Sequence, residues 1–348
     1  MKNLTWQNPE QLFVAQELIN KVKSKCCGIK DRIKWVDNLR GLCMMAILFD
    51  HTEHYYLGDN ISNLNLYVTD ALYVFFVISG YLIYKNDEII NVSHKLKSIM
   101  KTLVMPYFIF TTLMALPKSV AHGEDFDLEG VVIGIITGQA SWFVAALAVA
   151  EILFVMSLKF LRGNIKWLFF VCVGAFGASI WLSLNNDSYI WQFDNALQAM
   201  LFLFIGYTYH KYETYIKMGF SVVALSLIAL VVIKYYVAME CITMTVWHIN
   251  ISNYSVFFAN VMVGSIAIIG LFRHLKSCPV LEWTGRHSLV YYFLCGGIPL
   301  IVGKIALCLG FHYDNNYAKV FVVFFFVYVI TTALTWAVYR YIPFVVGK

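Results

Sequence analysis

Apolar stretches of about 20 residues recur along almost the whole chain, separated by short polar joints. A helix needs roughly 20 apolar residues to cross the hydrocarbon core of a bilayer. Segments near 37–57, 66–84, 103–121, 141–158, 167–184, 192–210, 218–236, 256–272, 288–306 and 318–340 reach or approach that length. Lipid offers no hydrogen bonds, so each segment must satisfy its own backbone, and helices do this. The pattern therefore predicts an all-α fold, a polytopic membrane helix bundle of about ten transmembrane helices. A further apolar run at 131–137 is too short to span and is expected to lie at the interface or to re-enter. No inverted repeat of the kind found in many transporters is visible by eye.

Composition agrees with a lipid solvent. The hydrophobic fraction is 60% and the charged fraction 14%, whereas soluble domains carry about a quarter charged residues. Charge placement then sets the expected orientation, because Lys and Arg concentrate on the cytoplasmic side. With both termini cytoplasmic and ten spans, the inner segments hold 22 of the 26 basic residues. Only Lys118, Lys234, Lys304 and Lys319 fall elsewhere, while the early outer loop carries Glu124, Asp125, Asp127 and Glu129. Trp35, Trp142, Trp191, Trp247 and Trp283 sit near predicted span ends, where indoles anchor at the interface. Residues 1–34 read as a basic cytoplasmic tail with no cleavable signal, and residues 35–345 as one transmembrane domain. The net charge of +5 is spread beside apolar segments and does not form a nucleic-acid-binding patch. The eight cysteines form no disulfide framework, and Cys26 and Cys27 are adjacent in the tail.

The first predicted span holds the densest chemistry. It runs Trp35-Val36-Asp37-Asn38-Leu39-Arg40-Gly41, then an apolar stretch, then Asp50-His51-Thr52-Glu53-His54. Ionisable groups inside a membrane are costly and tend to be paired or functional. Asp37 and Arg40 are three apart, so they can pair on one helix face. Arg40 and His51 are eleven apart, which returns to nearly the same face with His51 about 16 Å further along the axis. One stripe thus carries a cation near the cytoplasmic mouth and an imidazole deep in the bilayer. This suits a donor with an anionic head and a long thin reactive arm, such as acyl-coenzyme A. A neutral imidazole can take the proton of an attacking hydroxyl. The plainer alternative for His51 is a packing residue bonded to a neighbouring helix. Glu151 lies well inside its span and is either a site carboxylate or half of an ion pair. His54 reads as a solvated loop residue. His122, His248 and His312 show no metal-like spacing, and no metal site is expected.

These residues also carry a resemblance. The segment Arg32–Gly41 followed by His51 resembles the opening signature of the acyltransferase-3 family, an Asp-x-x-Arg-Gly motif leading into an Arg-x10-His pair. Phe75-Phe76-Val77-Ile78-Ser79-Gly80-Tyr81-Leu82 is similar to the element of that family's second span. Met105-Pro106-Tyr107, Ser141-Trp142-Phe143 and the late Gly285-Arg286-His287-Ser288-Leu289-Val290-Tyr291-Tyr292 follow in family order. The resemblance implies transfer of an acyl group, usually acetyl, from cytoplasmic acyl-CoA to a hydroxyl of a glycan or lipid-linked sugar. His51 would be the essential histidine, with Arg40 and Asp37 in its motif. Arg40, Lys97 and Lys101 would hold the donor head. Trp142 with Glu151 leans toward the sugar O-acetylase branch; Ser79 and Tyr292 complete the candidate acceptor-side set, with helix packing as the plainer role for both.

Two positions depart from the family pattern. Lysines 95, 97 and 101 stand where a pair of arginines is common, and lysine binds phosphate without the bidentate fork. Cys295 stands where the late element often has His. The expected setting is the cytoplasmic membrane, with acyl-CoA as donor substrate and no tightly bound cofactor. The rival reading is a carrier or exporter of a saccharide or small anion that uses His51, Glu151 and Asp50 as a relay. It would need more broken spans than the six prolines suggest.

Overall fold

The structure is a computed structural model that describes residues 32–61, 65–85, 91–122, 127–185 and 189–347. The basic tail through residue 31, Cys26 and Cys27, and the acidic pair Glu124 and Asp125 lie outside the described residues. Residues from Trp35 onward form one compact unit.

Among the described residues, that unit is built of helices joined by loops, with one two-stranded hairpin. In chain order α1 is Lys34–Leu57, α2 Asn65–Ile83, α3 Val92–Ile99, α4 Met105–His122, α5 Leu128–Ile136, α6 Trp142–Phe160 and α7 Ile165–Ser183. Then come α8 Phe193–Lys211, α9 Phe220–Met239, the strands β1 Met244–Thr245 and β2 Asn250–Ile251, α10 Tyr254–His274, α11 Pro279–Arg286, α12 Ser288–Leu294, α13 Ile298–Cys308 and α14 Ala318–Tyr341. The strands pair antiparallel, Met244 opposite Ile251.

Local chemistry explains several boundaries. The side chains of Asn91, Asn164 and Asn253 cap α3, α7 and α10 by accepting backbone N–H bonds. Pro279 opens α11, where its missing N–H costs nothing. Between α3 and α4 the chain makes a π-helical turn, Met100–Val104, just before Pro106. Pro106 has no N–H to give to the preceding turn, and a wider turn there keeps the helix continuous. The short apolar run near 131–137 is the nine-residue α5, too short to span.

Among the described residues, six helical stretches are long and apolar enough to cross a membrane: Val92–Pro117, α6, α7, α9, α10 and α14. The pair α12 and α13, bent by 49°, makes a seventh if it counts as one span. The expected ten exceeds this, and the difference lies in α1, α2 and α8. In α1, 12 of 24 residues are buried, and in α8, 13 of 19. Both carry polar groups on buried faces, which lowers their hydropathy without exposing them. By contrast α9 buries only Val223 and Val237 and turns Leu225, Ile228, Val231, Val232 and Tyr235 outward. A helix apolar on its outward side suits lipid contact.

Two glycine-mediated crossings fix the centre. A Cβ on Gly80 would lie 2.0 Å from the Leu203 carbonyl oxygen, and one on Gly206 would lie 1.8 Å from that of Val77. Helices α2 and α8 therefore touch backbone to backbone, as small residues permit in membranes. The second crossing joins α1 to α11: a Cβ on Gly41 would meet the Leu281 oxygen at 2.0 Å, and one on Gly285 that of Asp37 at 1.8 Å.

Candidate functional site

The amino-terminal motif of α1 is spent largely on holding the segment 277–288. Buried Asp37 accepts from Arg286 Nε at 3.3 Å, and Arg286 also pairs with Glu282. Asn38 donates to Ser277 Oγ at 3.0 Å and accepts from the Cys278 N–H at 2.9 Å. Arg40 donates to Ser288 Oγ at 3.2 Å. Asp37 thus has an ion-pair partner on another helix, Arg286. Helical spacing identifies partners on the same helix only, and this one lies 249 positions away.

Eleven residues further on, α1 has a different environment. His51 and Asp50 line a cavity of about 520 Å³ together with Ile47, Thr69, Leu72, Trp142 and Tyr292. Its outer wall is the end of α9 and the approach to the hairpin, Val237 to Trp247, and Asn60 closes one side. The His51 ring stacks on Tyr55, centroids 6.1 Å apart. Asp50 Oδ1 accepts from Asn60 Nδ2 at 2.6 Å, so the carboxylate is oriented while it faces the cavity. Thr69 Oγ donates to the Met244 carbonyl at 3.0 Å and ties the hairpin wall to α2. The Tyr292 hydroxyl accepts from the Phe143 N–H at 3.3 Å. His54 is exposed beside Tyr55. His51, Trp142 and Tyr292, drawn from three distant parts of the sequence, thus share one space.

Arg40 does not line that cavity. Aromatic rings lie between: the Arg40 guanidinium is 5.9 Å from the Phe75 centroid, Phe75 meets Phe143 edge-on at 5.9 Å, and Phe143 lies 5.4 Å from Tyr292. Ser79, half-buried on α2, is one helical turn from Phe75 and is not a cavity residue.

The expected donor-head cluster is also divided. Lys97 and Lys101 line a shallow groove of about 660 Å³ with Lys159 and the apolar side chains of Val92, Leu96, Met100 and Met105. Arg40 is not part of it. Glu151 is buried and pairs with Lys95 at 2.7 Å. It stands nine residues along α6 from Trp142, about 13 Å at 1.5 Å per residue, and does not line the His51 cavity. Its pairing is the ion-pair alternative expected beside the site role: the carboxylate joins α6 to α3. Cys295 is buried, its thiol 2.9 Å from the Tyr292 carbonyl, and it too stands outside the cavity lining.

Sequence reasoning missed the whole outer wall, because residues 240–247 carry neither periodicity nor a motif. It also missed a polar node beside the cavity. Asp70 Oδ2 pairs with Lys234 Nζ at 2.5 Å, and its Oδ1 accepts from Asn260 Nδ2 at 2.5 Å. Lys234, within the predicted 218–236 span, lies inside α9. The available signal was a charged residue inside each of two apolar runs. Among the described residues, no group of three or more His, Cys, Asp or Glu is arranged to hold a metal ion.

The family model described as an acyltransferase domain matches residues 33–340, nearly the whole chain. No curated protein and no solved structure matches it.

Proposed function

From the premise that the chain belongs to the acyltransferase-3 family and is a membrane acyltransferase, we propose that it moves an acetyl group from cytoplasmic acetyl-CoA to a hydroxyl of a glycan or lipid-linked sugar. The observation that carries this reading is the convergence of His51, Trp142 and Tyr292 on one cavity with the oriented carboxylate of Asp50. His51 is the general base that takes the acceptor hydroxyl's proton as oxygen attacks the thioester carbon. The thioester C–S bond then breaks and CoA leaves as the thiol, with His51 returning the proton. Asp50, Asn60 and Trp142 supply the acceptor contacts that a polyhydroxylated ring requires, a fixed acceptor and donor pair beside an aromatic face.

The donor's anionic head is assigned to the groove of Lys97, Lys101 and Lys159. Three lysines at the rim attract phosphate as point charges. Arg40, behind the Phe75 ring, is a positioning residue that holds the start of α12, and with it Tyr292 four residues on. Ten spans with both termini cytoplasmic, in the cytoplasmic membrane, place the lysine groove inside and the Asn60 end of the cavity outside. The acceptor then enters from the outer side and the donor from the inner side. A carrier would use broken spans, and the bent α12–α13 pair is one such feature; the family match favours group transfer.

The test is CoA release from acetyl-CoA by the purified protein in detergent, with an added glycan hydroxyl or, in its place, water taking the acetyl group. Release is expected in wild type and in His54→Ala and lost in His51→Ala. Unchanged release in His51→Ala would remove the mechanism.

A further inference from the structure

The outer wall of the cavity is attached to the bundle in an unusual way. Helix α9 fully buries two of its 20 side chains and packs mainly along α10, so apolar packing ties it to α10 and not to α2. Its charged residue Lys234 reaches into the bundle and pairs with Asp70 of α2 at 2.5 Å. Asn260 of α10 donates to the other Asp70 oxygen at 2.5 Å. Gly264, one turn beyond Asn260, also faces the carboxylate: an added Cβ would lie in ordinary contact, 3.7 Å from it. One buried carboxylate, 5% exposed, therefore joins three helices.

This node adjoins the cavity in sequence and in space. Thr69, next to Asp70, lines the cavity and bonds the Met244 carbonyl. Val237 and Ala238, one turn beyond Lys234, begin the cavity wall, which continues through Cys241 to Trp247. We propose that the Asp70–Lys234 ion pair is the latch that holds the α9–hairpin wall against α2 and so sets access to the His51 cavity, with Asp70 and Lys234 as positioning residues. An ion pair suits this task. Separating the pair removes the charge–charge attraction between α9 and α2 in a low-dielectric setting, so the joined arrangement is strongly preferred over a partly opened one. The latch gains its functional meaning from the proposed acyl transfer, but its geometry does not depend on turnover.

The experiment reads the cavity directly. Leu72, 6% exposed, lines the cavity floor. In Leu72→Cys protein, alkylation of the introduced thiol by a bulky maleimide is followed by mass spectrometry, with the buried native Cys172, 0% exposed, as the reporter of global unfolding. Asp70→Asn and Lys234→Met, each added to Leu72→Cys, are expected to raise the labelling rate at position 72 about fivefold or more, the scale of a modest shift in a local opening equilibrium. Cys172 should stay unreactive. The exchanged pair Asp70→Lys with Lys234→Asp should return the rate toward that of the Leu72→Cys parent. If the single variants expose Cys172, Thr69→Val carries the test, because it removes only the hairpin bond; its labelling should rise by a smaller factor. An unchanged rate at position 72 in folded Asp70→Asn and Lys234→Met, or in Thr69→Val where those do not fold, overturns the latch. CoA release plays no part in this readout, so failure of the latch and failure of the acyl-transfer reading are separate results.

Discussion

The two ends of α1 use the same kinds of residue for opposite purposes. At one end Asp37, Asn38, Arg40 and Gly41 all engage the segment 277–288. At the other, Asp50 and His51 face a cavity walled by a hairpin and closed by Asn60. The first end is a joint and the second a workplace, although both read as polar intrusions in an apolar span. A buried polar residue is therefore informative only together with what faces it: a partner from another helix, or open space. The aromatic rings of Phe75 and Phe143 divide the two ends.

That contrast makes distinct predictions for the two ends. The largest effect belongs to the open end. His51→Ala should lower acetyl transfer about 100-fold or more, the range for loss of a general base, while the melting temperature in detergent stays within a few degrees. A comparable fall in melting temperature would make His51 a packing residue. Next comes the joint. Gly285→Leu places carbon atoms where the Asp37 carbonyl already stands, and overpacking of this kind costs about 1–3 kcal/mol or more. Thermal unfolding should show it, and a variant as stable as wild type would mean that α1 and α11 separate freely. Asp37→Asn should have a smaller effect, about 1–2 kcal/mol, because Arg286 is about one-third exposed and retains Glu282. Its activity should fall only as far as its stability does. The smallest effect is at the lysine groove. Lys97→Ala with Lys101→Ala should raise the donor KM about threefold to tenfold with kcat held, and the difference should shrink at high salt. A fall in kcat at constant KM would place these lysines nearer the reacting atoms.

The sequence revealed the element pattern well where helices face lipid, since apolar runs of spanning length are unambiguous. It revealed the polar stripe of α1 and the recurrence of Trp142 and Tyr292 in motif positions. It did not reveal that Asp37 pairs with Arg286, because helical spacing carries no information about a partner on another helix. Glu151 stood between a site role and an ion pair for the same reason, and the fold supplies Lys95 as its partner. The hairpin wall was invisible because residues 240–247 form it with no repeating pattern. Asp70 and Lys234 were visible as charges inside apolar runs, but only the fold shows that they meet.

The most direct test of the two-ended account is sidedness. Protein in sealed proteoliposomes of defined orientation is supplied with acetyl-CoA on one face at a time, and CoA release is measured. Release is predicted when the donor is on the face that carries Lys97, Lys101 and Lys159, and not when it is on the Asn60 face. Release only from the Asn60 face would contradict the account.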